Sequence, residues 1–238
     1  MLRIAPPILG WVVPAVTVFL ASAQAEIVYD NTSGTTTNYF LFSRQYGDEI
    51  NLAGTLRNVS EFTFLYFGSI PSGVTSPGEW QIRIYDQNGS LTGDRDRRPG
   101  NILWESATFP VLRGYQTNTL SIPLVAVPDR ITWTVEFRNL PQQSGNGAGL
   151  ILADPPTIGA LLPGNFRPVI GSYTDYWVQQ TAGNDDSWAL NRFSANPFVG
   201  PQGNFYVRVS AVPEPSVLAL TVLGAVGAGW WLRRSRNS

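Results

Sequence analysis

Alternation of apolar and polar positions is the dominant pattern in the middle of the chain. From Ile131 to Arg138, Ile131, Trp133, Val135 and Phe137 are apolar while Thr132, Thr134, Glu136 and Arg138 are polar. A period of two matches the pleat of a β-strand with one face in a core and the other toward solvent. Trp80, Ile82 and Ile84 alternate with Gln81 and Arg83 in the same way, as do Phe205, Val207 and Val209 with Tyr206 and Arg208. Val59 to Phe67 becomes apolar on both faces after Thr63, which fits a central strand covered on two sides or one under a loop. Residues 26–30, 39–42, 173–178 and 188–193 supply further strands. Leu120 to Leu124 alternates too, but Pro123 lacks a ladder donor and so predicts an edge strand.

Turn clusters separate these runs: Pro71-Ser72-Gly73, Pro77-Gly78, Asn88-Gly89, Pro99-Gly100, Gly145-Asn146-Gly147, Asp154-Pro155-Pro156 and Gly200-Pro201. Each supplies a fixed or a permitted positive φ. The body shows no sustained helical periodicity and no internal repeat. About eight to eleven short strands at this spacing predict an all-β fold, a two-sheet antiparallel β-sandwich of jelly-roll-like type, with a closed barrel as the alternative. The order of the strands is not readable from the pattern.

The two ends differ from the body. Met1-Leu2-Arg3 is a short basic start, Ile4 to Leu20 is apolar with prolines at 6, 7 and 14, and Ala23-Gln24-Ala25 offers the small residues a signal peptidase reads. Residues 1–25 therefore predict a cleaved signal peptide, since the prolines and Gly10 break a spanning helix. Residues 26–211 are long enough for one domain with a substantial core. Setting aside Arg3, Arg233, Arg234, Arg236 and Glu214, the body is net acidic, so it lacks the clustered basic face that nucleic acid requires. The chain has no Cys and no His, and all of its positive side chains are arginine. Disulfides, Cys- or His-bound metal and Ser-His-Asp hydrolysis are thereby excluded. What remains is carboxylate, hydroxyl, amide and aromatic chemistry.

Residues 212–238 read as a second signal. Val212-Pro213-Glu214-Pro215 is followed by an uncharged run from Ser216 to Leu232 and then Arg233, Arg234 and Arg236. At ~1.5 Å per residue the run makes a helix about 25 Å long, at the short end of a membrane span. Trp230 and Trp231 sit at an interfacial aromatic belt, and the arginines suit a cytoplasmic flank. The order Pro-Glu-Pro, apolar helix, arginine cluster, chain end resembles the PEP-CTERM sorting signal of bacterial envelope and exopolysaccharide-associated proteins. That resemblance covers about residues 212 to 236. It implies an exosortase-type protease-transpeptidase as partner, besides signal peptidase and membrane lipid, with exopolysaccharide as a further partner. It also implies export, anchoring in the inner membrane with the ectodomain outside the cytoplasm, and then transfer to the cell surface or beyond. The strand from Trp80 to Asp86, the turn and strand from Pro99 to Trp104 and the strand from Ile131 to Arg138 are similar to weakly defined β-sandwich domains found before such tails.

Candidate chemistry in the body falls into four groups. Asp94 and Asp96, near Asn88 and Asn101, and Asp185-Asp186 offer oxygens for Ca²⁺, the one candidate cofactor. Arg95, Arg97 and Arg98 neutralise the first pair, and a solvated loop is the competing reading for both. Tyr173, Asp175, Tyr176 and Trp177 form the densest aromatic group and can face a sugar ring, as can Trp104 and Trp188; core packing competes for every tryptophan. Glu61, Glu79, Glu105, Glu136, Asp154 and Asp175 are available for glycoside hydrolysis, but no spacing selects two of them. Asn31-Thr32-Ser33, Asn58-Val59-Ser60 and Asn88-Gly89-Ser90 match the N-glycosylation pattern, an accident of composition beside a bacterial-type tail. The expectation is a non-enzymatic envelope or extracellular-matrix protein, with a carbohydrate-binding module and then a glycoside hydrolase as alternatives.

Overall fold

The computed structural model describes residues 24–32, 38–41, 44–74, 77–91, 97–140, 147–153, 156–159, 175–181, 187–192 and 204–214. Thirteen strands run through them. They are β1 (Glu26–Asp30), β2 (Tyr39–Leu41), β3 (Tyr46–Asn51), β4 (Asn58–Ser69), β5 (Glu79–Tyr85), β6 (Ile102–Glu105) and β7 (Phe109–Pro110). The rest are β8 (Gly114–Ala126), β9 (Arg130–Arg138), β10 (Gly147–Ile151), β11 (Asp175–Gln179), β12 (Trp188–Arg192) and β13 (Val207–Val212). No α-helix occurs among the described residues. The predicted membrane helix at 216–232 and nearly all of the leader lie outside them.

Two antiparallel sheets face each other. The first has the order β1-β13-β4-β10-β2, with β8 along the opposite edge of β4. β13 pairs with the N-terminal half of β4 and β10 with its C-terminal half, so these two strands lie end to end. The second has the order β12-β11-β3-β9-β5-β6, with β7 beside the start of β5. Four pairs are nested in sequence, from the outside in: β1 with β13, β3 with β9, β4 with β8, and β5 with β6. Successive pairs fall in the first sheet, the second, the first and the second, as when one long ribbon of paired strands is wound around a core.

The core is aromatic. Phe62, Phe64 and Tyr66 project from alternate positions of β4 and are fully buried. Phe62 meets Trp133 edge-on at 5.3 Å, Phe64 meets Trp80 at 5.0 Å and Tyr66 meets Phe137 at 5.6 Å, so one strand of the first sheet interlocks with β5 and β9 of the second. Such contacts contribute roughly 0.5–1.5 kcal/mol each beyond the area buried. Tyr46 adds a polar tie between the sheets. Its hydroxyl donates to the Phe40 carbonyl at 2.8 Å and accepts from the Leu150 amide at 2.9 Å. Phe40 and Leu150 are register partners in β2 and β10, so the hydroxyl bridges a rung of the opposite sheet. Burial pushes the Tyr46 hydroxyl far up from its ordinary pKa of 10.0, an effect that the bond from Leu150 only partly offsets.

Several sequence expectations need correction. β3, with the sequence YGDEIN, lies in a stretch for which the pattern named no strand, and β10, with GAGLI, begins at the last glycine of the predicted turn cluster Gly145-Asn146-Gly147. β8 is far longer than the Leu120–Leu124 segment, although its edge position agrees with Pro123. The polar face of β9 is not solvated along its length, because Thr132 and Thr134 are fully buried. β4 in turn is not covered on its outer side, where Leu65 and Phe67 are only half-buried.

Candidate functional site

The outer face of the second sheet carries a side-chain network centred on Arg83. Arg83 Nη1 donates to Gln45 Oε1 at 2.8 Å and Glu136 Oε2 at 3.0 Å, Nη2 to Gln81 Oε1 at 2.9 Å and Nε to Glu105 Oε2 at 3.3 Å. Arg138 also reaches Glu136, at 3.2 Å, and donates to Gln81 Oε1. Gln45 Nε2 donates to the Tyr85 hydroxyl and to Thr134 Oγ1, both at 2.7 Å. Strand pairing builds this cluster, since Gln81 faces Glu136 and Arg83 faces both Thr134 and Glu105 across the ladders. Burial works against the Arg83 charge, but Tyr85, Glu105 and Glu136 outweigh it and raise its pKa above the ordinary guanidinium value. Of the carboxylates nominated as hydrolytic pairs, Glu105 and Glu136 come together, with a guanidinium bonded to both. Glycoside hydrolysis needs a proton donor and a free carboxylate across a cleft, whereas Glu105 and Glu136 each accept from Arg83 through Oε2. The network is charge-balanced, two arginines against two glutamates.

Beside it on the same face lies a second apolar cluster of Tyr85, Trp177 and Trp188, with Leu190 against it. Tyr85 and Trp188 meet edge-on at 5.5 Å. Trp177 lies next to Gly47, and its indole N–H points at Glu49 Oε2 at 3.4 Å. The nominated sugar-binding group therefore divides between two interiors. Trp177 is fully buried in this cluster, while Tyr176, on the other face of β11, packs in the main core against Phe40 at 5.0 Å. Neither ring presents a face to a ligand at the surface, so core packing is their role. Of Asp175 only the backbone position in β11 is described, and Tyr173 lies outside the described residues.

Exposed aromatic surface occurs instead on the outer face of the first sheet. Tyr39 (40 % exposed) stacks on Phe67 with ring centroids 4.5 Å apart, and Phe67 meets Tyr115 (50 % exposed) at 4.9 Å. Gly149 of β10 lies between Leu41 and Phe67 in the register, so the Tyr39–Phe67 stack spans β10. Thr63 and Thr119, whose hydroxyls are 2.9 Å apart, extend this face along β4 and β8, with Thr117 between Thr119 and Tyr115. The three rings come from strands far apart in sequence. The only sequence signal was the two-sided apolar stretch ending at Phe67.

At one end of the sandwich, the turn after β5 closes on itself. Asp86 accepts from the backbone and side-chain amides of both Asn88 and Asn101, at 2.8–3.2 Å. These asparagines thus turn N–H groups, not oxygens, toward the nearest carboxylate. An open depression of about 540 Å³ beside them is lined by Asp86, Gln87, Asn88, Leu103, Asp129 and Arg130. Asp94, Asp96, Asp185 and Asp186, the calcium candidates, lie outside the described residues. Two sequon asparagines are held inside the fold. Asn31 is fully buried and exchanges hydrogen bonds with Phe205 O and Val207 N, at 2.8 and 2.7 Å, and Asn58 is buried at the start of β4.

β13 ends at Val212, and Pro213 and Glu214 follow it directly, both exposed. Pro215, Trp230, Trp231, Arg233, Arg234 and Arg236 lie outside the described residues. Comparison with known protein families, curated proteins and solved structures finds no match.

Proposed function

We propose that the chain is an exported, non-enzymatic cell-envelope or extracellular-matrix protein, sorted by an exosortase-type protease-transpeptidase and associated with exopolysaccharide. Its body is a jelly-roll-type sandwich, a reading supported by the nested strand pairs that alternate between the sheets. The observation that carries the sorting proposal is the junction at Val212. The last described strand ends there, and Pro213 and Glu214 stand exposed immediately beyond it, where a membrane enzyme can reach them without unfolding the domain. The Arg83 network supports the non-enzymatic part, because the carboxylates it gathers are engaged by guanidinium groups. Intact mass of the protein recovered from its own cells is the test. Loss of residues 230–238 from wild type and their retention in Glu214→Ala is expected. A wild-type species that keeps Trp230 to Ser238 in cells with the processing enzyme would overturn it.

A second reading, direct contact with neutral glycan, is favoured by the exposed row Tyr39–Phe67–Tyr115. Its aromatic and hydroxyl-bearing side chains suit the apolar and hydroxylated faces of pyranose rings. Tyr115→Ala, which leaves the core alone, is expected to weaken retention on an exopolysaccharide column; unchanged retention would refute glycan contact at this row.

A further inference from the structure

Exposed sheet edges template pairing with other chains, and folded proteins suppress this with short strands, charges, prolines and bulges. Among the described residues, the edges of this sandwich follow that rule at every place but one. β1 carries Glu26 and Asp30, β2 is three residues long, β6 is four residues long and ends in Glu105, β7 is two residues long, and β12 is five residues long and ends in Arg192. β8 runs for thirteen residues along the edge of the first sheet, and among the described residues it pairs with β4 alone. No charged residue lies between Gly114 and Ala126. A bulge at Ile122-Pro123-Leu124, with Leu124 at φ 44°, protects only the far end, leaving Gly114–Ser121 in unbroken register with β4. In an antiparallel edge strand, alternate N–H and C=O groups point away from the sheet. Within the segment, the Asn118 side-chain amide donates to the Gln116 carbonyl at 3.1 Å and the Gln116 side-chain amide to the Arg113 carbonyl at 2.7 Å.

We propose that β8 is a self-association edge, pairing antiparallel with β8 of a second copy of this chain to join two first sheets into one. The occupant follows from the sequence of the edge. A two-fold pairing must set outward residues opposite outward residues to continue the same face. Centred on Asn118, it places Thr117 opposite Thr119 and Tyr115 opposite Ser121 on the outer face, with Gln116 opposite Leu120 on the other. No like charges meet, and the hydroxyl pairing repeats the Thr63–Thr119 contact already made with β4. The joined sheet carries both Tyr39–Phe67–Tyr115 rows on one continuous outer face.

The chain has no cysteine, so a single introduced thiol reports the interface cleanly. Facing residues of paired strands bring their Cα atoms within disulfide range. Full-length Asn118→Cys in its membrane is expected to give a disulfide-linked dimer under mild oxidation. Leu91→Cys, at an exposed position bridged to Arg97 and away from β8, is expected to stay monomeric. In detergent, Thr117→Lys, which sets charges near the two-fold, is expected to weaken dimerisation of the cysteine-free protein roughly fivefold by sedimentation. A monomeric wild-type chain, equal cross-linking at both thiols, or a cross-link from residue 118 to a different protein would each overturn the proposal. Because cross-linking is read without a charge substitution, a poorly folded Thr117→Lys variant leaves that test standing.

Discussion

Tyr46→Phe isolates the hydroxyl that ties the sheets together. The ring stays, with its packing against Phe40, Phe137 and Phe205, while the donor to Phe40 O and the acceptor for Leu150 N are lost. The Leu150 amide is buried and the Phe40 carbonyl half-buried, so the cost exceeds that of an exchanged hydrogen bond. A buried donor left without a partner costs about 1–3 kcal/mol, and the weakened carbonyl adds to this, giving an expected loss of about 2–3 kcal/mol. For a body of this size that corresponds to a fall in Tm of roughly 4–12 °C. Urea unfolding followed by tryptophan fluorescence, with an unchanged m-value, measures it directly. Alkaline titration supplies a second reading. A tyrosine whose folded pKa is raised keeps its proton while the unfolded chain loses it, so its stabilisation is whole below about pH 10 and fades as pH rises beyond that. Tyr46, Tyr66 and Tyr176 are all raised by burial, so stability is expected to fall steeply above pH 10, and less steeply by one proton in Tyr46→Phe. A loss under about 0.5 kcal/mol would refute the reasoning, since it would mean that Phe40 and Leu150 close the rung without the hydroxyl.

Three further outcomes follow. Gly47→Ala is expected to destabilise by about 3 kcal/mol or more in the same assay, because its Cβ would lie 1.9 Å from the Trp133 carbonyl oxygen and backbone cannot yield as a side chain does. Arg83→Met is expected to cost about 1–3 kcal/mol by removing the donor to Gln45 Oε1 and one of the two guanidinium groups on Glu136, and in a double-mutant cycle with Glu136→Gln the two losses should not add. Leu91→Ser, at an exposed position, is expected to stay within about 0.5 kcal/mol of wild type.

The sequence made β5, β9 and β13 legible because each has one face in the core, and the pleat writes that burial as alternation. It hid β3 because that strand is covered on both sides. Tyr46 and Ile50 point into the core while Glu49 and Trp177 meet on the other face, so burial leaves no alternation to read. β10 is hidden for a different reason. A Cβ at Gly149 would sit 2.2 Å from the Phe40 carbonyl oxygen, so close strand approach selects the residue that sequence reading takes for a breaker. The density of rings at 173–177 was visible, but whether a ring faces in or out depends on which strand lies above it. The exposed row of Tyr39, Phe67 and Tyr115 exists only once β2, β4 and β8 are neighbours across Gly149.

Pairing of the first strand with the last has a mechanical consequence. Glu26 and Ala211 are register partners, so the body begins and ends at one corner, and a pull on the chain beyond Val212 acts along β13. That strand is flanked by β1 on one side and β4 on the other. Tension draws it lengthwise between its neighbours and strains both ladders together, rather than peeling them one rung at a time. Force applied at that end is thus met in shear by the strand nearest to it.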